Sequence, residues 1–239
     1  VISVDEARKI ILGSVSALGP ERVSLSESLD RVLAEDVRAP EDVPPLDNSS
    51  MDGYAVRAGD TRGASTERPV ILRVVGEVRA GALSDRPVGE GEAIRIMTGA
   101  PVPGGADAVI MREFCREGTD RVELFAEVGP GENVRRAGED FPRGTLLLEQ
   151  RSLISPAAMG ILASVGKSEV TVYRRPRVAI LSTGDELLEV EEESRPGKIR
   201  GSNSYTLLGQ VRRCGSVPIM LGIARDDPET IYEKLSRGL

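Results

Sequence analysis

Apolar positions recur at helical spacing from the start of the chain. Val4, Ala7, Ile10, Ile11, Val15 and Leu18 fall on one face. Ser3-Val4-Asp5-Glu6 reads as a capping box, with Ser3 capping the Glu6 amide and Glu6 reaching back. Gly19-Pro20 is the expected stop. A second short helix is predicted over Leu25 to Leu33. Pro, Asp, Asn and Ser crowd residues 39 to 50, the composition of a loop or linker. From residue 54 to 149 the helical period is gone. Val70 to Val78, Glu92 to Met97, Ala108 to Glu113 and Arg121 to Ala126 are short apolar runs between Gly and Pro turns. Such spacing predicts strands of a compact β-barrel-like domain.

The pattern changes at Ser155-Pro156, an N-cap followed by proline at the first helical position. Ala157 to Val165 then fit a helix that Gly166 ends, and Glu169 to Tyr173 fit a strand. Val178 to Leu181 is a continuous apolar run of the kind buried parallel strands show. Tyr205 to Arg213 reads as a helix, opened by Ser202-Asn203-Ser204 and closed by Gly215. Ile219 to Ile223 is the next strand, and Asp227 caps a last helix with Pro228 first. The order β-α-β-α implies a right-handed crossover. Two parallel strands rarely make a stable sheet alone, so more strands are expected after Leu239 and the chain reads as a fragment.

Composition narrows the chemistry. Hydrophobic residues are 40% and charged residues 29% of the 239, which suits a globular protein. Aromatics are only 3%, with no Trp, so cores must rest on Val, Ile, Leu and Ala. A net charge of −7 argues against a general nucleic-acid partner. The absence of histidine excludes histidine triads, histidine zinc sites and histidine general bases. Cys115 and Cys214 lack metal spacing and read as reduced, structural thiols of a cytoplasmic protein. No apolar run reaches about 18 residues, so no membrane-spanning helix and no membrane partner are expected.

Five clusters could carry chemistry. In Asp47-Asn48-Ser49-Ser50-Met51-Asp52-Gly53-Tyr54, the Asx and Ser side chains can fold their own loop. The rival reading makes it a pocket rim with Asp52 as a ligand. Ile94 to Pro103 runs from a strand into a loop whose free amides and Thr98 hydroxyl would suit an oxyanion, or else a tight turn. Asn133 to Asp140 sets Arg135 and Arg136 beside Glu139 and Asp140, a surface ion network or an arginine clamp. Leu181 to Leu187 follows a buried strand, where open α/β sheets bind ligands. There Ser182 and Thr183 offer hydroxyls, Gly184 close approach, and Asp185 and Glu186 oxygens for a metal. In Arg225-Asp226-Asp227-Pro228, Asp227 is a helix cap and Asp226 is left over at a strand end.

Together and in this order, the clusters resemble the bacterial MoeA family, the molybdopterin molybdenumtransferases, and the matching domain of gephyrin. Pro44 to Val56 is the most specific stretch, and Ile94 to Pro103, Arg135 to Asp140 and Ser182 to Leu187 agree with it in order. The resemblance implies a fold of α/β plus β: an elongated, multi-domain homodimer. Residues 1–45 and 136–175 would form a linker-type domain whose N-terminal helix packs on the α/β domain. Residues 46–135 would be an inserted β-barrel-like domain, and 176–239 the start of a parallel-sheet molybdopterin-binding domain. It implies insertion of molybdenum from molybdate into adenylylated molybdopterin, Mg²⁺-dependent and releasing AMP. The molybdopterin adenylyltransferase is a candidate partner. By motif match, Asp52, Thr98, Arg135, Asp140, Glu186 and Asp226 are the implied catalytic positions. Ser182, Thr183, Gly184 and Asn203 are the implied molybdopterin contacts, and Asp185, Glu186 and Asp226 the implied Mg²⁺ ligands. Family members continue past this point with a Ser-Gly-Gly loop, a further Asp and a C-terminal β domain. A non-catalytic molybdopterin-binding scaffold and a nucleotide-pyrophosphate hydrolase are the alternatives.

Overall fold

A computed structural model of the chain describes residues 2–238. In chain order the elements are α1 (Val4–Ser14), β1 (Pro20–Ser24), β2 (Val37–Arg38), β3 (Asn48–Ser49), β4 (Gly53–Val56), β5 (Val70–Val78), β6 (Glu92–Ile96), β7 (Ala108–Met111), β8 (Cys115–Glu117), β9 (Arg121–Leu124), β10 (Val134–Arg135), β11 (Leu146–Leu148), α2 (Pro156–Ser164), β12 (Glu169–Tyr173), β13 (Arg177–Thr183), β14 (Leu187–Leu188), β15 (Ile199–Arg200), α3 (Ser202–Arg213), β16 (Val217–Ala224) and α4 (Pro228–Gly238). They form two compact units, Val1–Asp36 with Leu148–Leu239, and Val37–Leu147.

The discontinuous unit opens with α1. Ser3 Oγ accepts from the Glu6 amide at 3.2 Å, as the capping box predicts. The helix ends at Ser14, short of the expected limit at Leu18, with Val15 already extended. Gly13, Ser14 and the β-branched Val15 are weak helix formers, so the last turn is not held. The helix predicted over Leu25 to Leu33 is also absent. A 3₁₀ turn covers only Leu25–Glu27. Asp30 then takes a left-handed backbone (φ 58°), and Val32 and Leu33 bridge to Leu153 and Val172. Tertiary pairing overrides local propensity here: Leu33 is fully buried, with Ile154, Leu162, Val170 and Val172 also in the core.

β1 pairs antiparallel with β12, Pro20 opposite Tyr173 through Ser24 opposite Glu169. Arg31 pairs with Glu21 and donates to the Tyr173 carbonyl at 2.9 Å. Ser155 caps α2 through the Ala158 amide at 3.2 Å. β13 and β16 run parallel, and the chain passes from one to the other by way of α3. Their register shifts between Ile180 and Leu181. Ile180 lies opposite Met220 and Leu181 opposite Gly222, so Leu221 is an extra residue of β16.

The continuous unit is built on a six-stranded mixed sheet in the order β7-β4-β6-β5-β9-β8. Only β5 and β6 are parallel; the other pairs are antiparallel. The strands predicted over 70–78, 92–97, 108–113 and 121–126 are β5, β6, β7 and β9, although β7 stops at Met111 and a 3₁₀ turn follows. Among the described residues the hydrogen-bonded order runs from β7 to β8, a half-barrel that meets the barrel-like expectation in part. The unit also reaches beyond 46–135, because β2 pairs with β11 and holds its two ends together. β4 lies between β6 and β7 with all four residues buried. Alternate side chains serve opposite faces: Tyr54 and Val56 pack with Leu72, Ile110 and Val122, and Ala55 packs with Val78, Ile94 and Ile96.

Gly53 opens β4 where no side chain fits. A Cβ there would lie 1.9 Å from the Ile110 carbonyl oxygen and 3.2 Å from the Arg112 nitrogen. Gly53→Ala is expected to destabilise this unit by at least about 3 kcal/mol. Gly59→Ala, whose Cβ would meet nothing within 4 Å, is expected to leave the urea midpoint nearly unchanged. Equal midpoints for the two variants would refute the close approach.

Candidate functional site

The five sequence clusters collect into two groups, one in each unit. In the continuous unit the first three meet. Antiparallel pairing sets Gly53 opposite Ile96, which brings the residue before β4 to the residues after β6. Asp52 Oδ1 therefore accepts from the Thr98 amide at 2.8 Å and from its hydroxyl at 2.7 Å. The Asp52 carbonyl accepts from the Arg112 amide at 3.0 Å. β3 pairs with β10, Asn48 opposite Arg135, and the Ser49 amide donates to the Ala100 carbonyl at 2.9 Å. Ser49 Oγ donates to the Met51 carbonyl at 2.6 Å, the self-folding expected of Ser in such a loop. Asn48 Oδ1 is buried and has no hydrogen-bond partner among the described residues.

The charges here are largely matched internally. Arg135 bonds Asp140 at 2.7 Å and Glu139 at 3.4 Å, so two implied site residues pair with each other. Asp47 accepts from the Ala137 amide at 2.8 Å and from Arg136 at 2.5 Å. The Ala137 amide is the main cause that holds the Asp47 carboxyl low, with Arg136 adding to it. Asp52 is held low chiefly by the Thr98 amide, then by its hydroxyl, with Arg112 and Arg95 contributing at longer range. Asp52, Tyr54, Arg95, Arg112 and Glu117 line a cavity of about 10 Å³, room for about one water. Burial, with Glu117 nearby, pushes the Tyr54 hydroxyl up to about 12. Arg95, Arg112 and Glu117 are not among the expected site residues; the register of β4, β6 and β7 places the two arginines, and Glu117 of β8 joins them by ion pairs at 3.7 and 3.4 Å.

In the discontinuous unit, the parallel pair sets Thr183 opposite Ala224, so the fourth and fifth clusters leave the sheet side by side. The Asp185 amide donates to Asp226 Oδ2 at 3.4 Å, and the Asp226 amide donates to Asp185 Oδ1 at 3.3 Å. Lys198 Nζ donates to the Asp185 carbonyl at 2.6 Å, and Arg225 to the same oxygen at 3.1 Å. Ser182, Thr183, Glu186 and Asn203 line one open cleft of about 390 Å³, with Arg200, Gly201 and Ser202. The cleft joins the carboxyl end of β13 to the amino end of α3, where Gly201 supplies no side-chain cap. Ser182 Oγ lies 2.6 Å from the buried Ser204 Oγ, an unforeseen partner in the first turn of α3. Gly184 has φ 148°, and a Cβ there would come within 2.6 Å of the Glu186 carboxylate.

The three implied Mg²⁺ ligands do not converge. Among the described residues no group of three His, Cys, Asp or Glu side chains is placed to hold a metal ion. Asp185 and Asp226 are instead engaged with each other's amides. Glu186 is the carboxylate on the cleft, and Mg²⁺ commonly takes one or two carboxylates with phosphate oxygens and water. The donor set fits an ion held partly by a ligand's phosphate, and does not fit one caged by three carboxylates.

Residues 2–166 match the family described as the MoeA N-terminal region (domain I and II), and residues 179–239 match a probable molybdopterin binding domain. The chain belongs to the MoeA family. The molybdopterin molybdenumtransferase of Bacillus subtilis is 41% identical over 242 residues, covering 100% of this chain and 56% of the relative. That of a Nostoc species is 40% identical, covering 99% and 55%. This MoeA-family chain thus spans about half the length of the curated relatives it matches. A crystal structure of a MoeA protein from Pyrococcus horikoshii superposes with a TM-score of 0.90 at 37% identity, covering 99% of this chain and 63% of that one.

A depressed carboxyl stabilises the fold above the ordinary Asp value of 3.8, and that stabilisation is lost as the pH falls through the lowered folded value. Thr98→Val removes the hydroxyl donor and keeps the amide. The Asp52 carboxyl, followed by carbon-detected NMR titration, is expected to move up toward 3.8 without reaching it. An unmoved titration would show that the hydroxyl does not act on Asp52.

Proposed function

We propose that the protein inserts molybdenum from molybdate into adenylylated molybdopterin and releases AMP, a step of molybdenum cofactor biosynthesis. The observation that carries this reading is the cleft at the carboxyl end of β13. A helix amino terminus offers unpaired amide donors and favours an anion, and ligands of open α/β sheets bind at strand carboxyl ends. Gly201, Ser202 and Asn203 bring the amino end of α3 to that cleft, and Ser182 and Thr183 bring hydroxyls. This is chemistry suited to the phosphates of a molybdopterin.

In this reading Ser182, Thr183, Gly184 and Asn203 position the pterin phosphates. Glycine at 184 leaves room for the Glu186 carboxylate, which lines the cleft. Glu186 would hold Mg²⁺, which would offset the pyrophosphate charge. Molybdate would condense with the two dithiolene thiols, its displaced oxygen leaving as water with the thiol protons, and a second water would cleave the anhydride P–O bond to give AMP and the pterin phosphate. Asp52, Thr98, Arg135, Asp140 and Asp226 are proposed to serve the same reaction; Asp226 does so by fixing the Asp185 turn. The domain arrangement implied by the resemblance, a linker-type domain of two segments with an inserted β domain, belongs to the proposal as well. So does a homodimer. α1 buries no residue, and Ile10, Ile11 and Leu12 are about 60% exposed, an apolar surface of the kind a second copy covers. Cytoplasmic work suits the two free cysteines, and the molybdopterin adenylyltransferase is the proposed donor of substrate.

The full-length protein is expected to release AMP from adenylylated molybdopterin in the presence of molybdate and Mg²⁺. Asn203→Ala is expected to weaken molybdopterin binding about tenfold, the loss of one hydrogen bond to a charged group. No AMP release would sink the enzymatic reading. Unchanged binding by Asn203→Ala would move the pterin out of this cleft.

A further inference from the structure

The other end of α3 borders a second opening. Arg212, Arg213 and Cys214 close the helix, and with Arg175, Leu153 and Asp30 they line a cleft of about 520 Å³. We propose that this cleft is a second anion site, distinct from the β13 cleft, which takes a phosphate-bearing ligand.

Three cationic side chains and one acidic one line the same space, in a chain whose net charge is −7. Arg212 and Arg213 have a local reason to be there, because cations in a last helical turn oppose the helix dipole. That reason does not extend to Arg175, which comes from the segment leading into β13. Its neighbour Arg174 is committed, donating to the Gly19 carbonyl at 3.3 Å. Among the described residues, Arg175, Arg212 and Arg213 form no ion pair within 4.0 Å. Around this cleft three guanidiniums outnumber the one carboxylate, Asp30, and an anion offsets the excess positive charge. Arginine's planar fork matches phosphate oxygens two at a time. A concave site of this volume lies within the range of small-ligand pockets and concentrates the field of its charges. α3 has 12 residues, so the two clefts are separated by roughly 18 Å along its axis.

The same chemistry could come from a free oxyanion or from a nucleotide, and Cys214 reports on both. Cys214 is exposed at the cleft, whereas burial pushes the Cys115 thiol up to about 12 and leaves it unreactive. Alkylation of Cys214 by neutral iodoacetamide is to be followed by mass spectrometry on the full chain, with pyrophosphate, ADP or adenosine present. Pyrophosphate and ADP are expected to slow alkylation, and adenosine is not. Equal protection by the two would assign a free oxyanion; protection at lower concentration by ADP would assign a nucleotide. Arg175→Ala is expected to weaken protection about tenfold, with an unchanged thermal midpoint to show that the variant folds. Absence of protection by either anion would overturn the proposal. So would protection that survives in Arg175→Ala but is lost in Asn203→Ala, which would place the anion in the β13 cleft.

Discussion

The close approach of β4 to β7 governs the continuous unit. Gly53 lets the Ile110 carbonyl come where a Cβ would stand, and that contact sets the register of both strands. Register in turn decides what Asp52 can reach. With Gly53 opposite Ile96 on one side and Met111 on the other, Asp52 must lie beside Thr98 and Arg112. Its low carboxyl value is then a consequence of backbone placement: the main cause is an amide, which no side-chain substitution at Thr98 short of proline removes.

The discontinuous unit follows a different logic. Two parallel strands deliver their carboxyl ends to one edge, and the residues that follow bind each other through amides. Asp185 and Asp226 are acidic, yet each carboxylate is used as a hydrogen-bond acceptor for the other's turn. The β13 cleft takes its polarity largely from hydroxyls and a helix end instead. Three arginines gather at the opposite end of α3.

The parts legible in the sequence are those governed by neighbours in the chain. Ser3 and Ser155 cap helices as their spacing predicts, and the β-α-β-α order after residue 176 is present. The parts not legible depend on distant partners. Pro20 to Ser24 carries a proline and three polar residues and has no strand pattern, but it pairs with β12. Leu25 to Leu33 has helical spacing, but Leu33 is drawn into a core made largely by later residues. The candidate site divides in the same way. The motifs mark loops that come together within each unit. Of the three carboxylates expected around Mg²⁺, two are engaged by each other's main-chain amides, which a reading of side chains does not see.

The pairing of β1 with β12 also bears on how the chain is born. During synthesis, β1 emerges well before its partner, with the whole of the continuous unit between them. That intervening unit holds its own ends together through β2 and β11. Once folded, it turns a closure across a long stretch of chain into one across a short span, and the entropy of closing a loop grows with its length. The inserted unit therefore acts as an internal splint: its completion on the ribosome prepares the joining of the two halves that flank it.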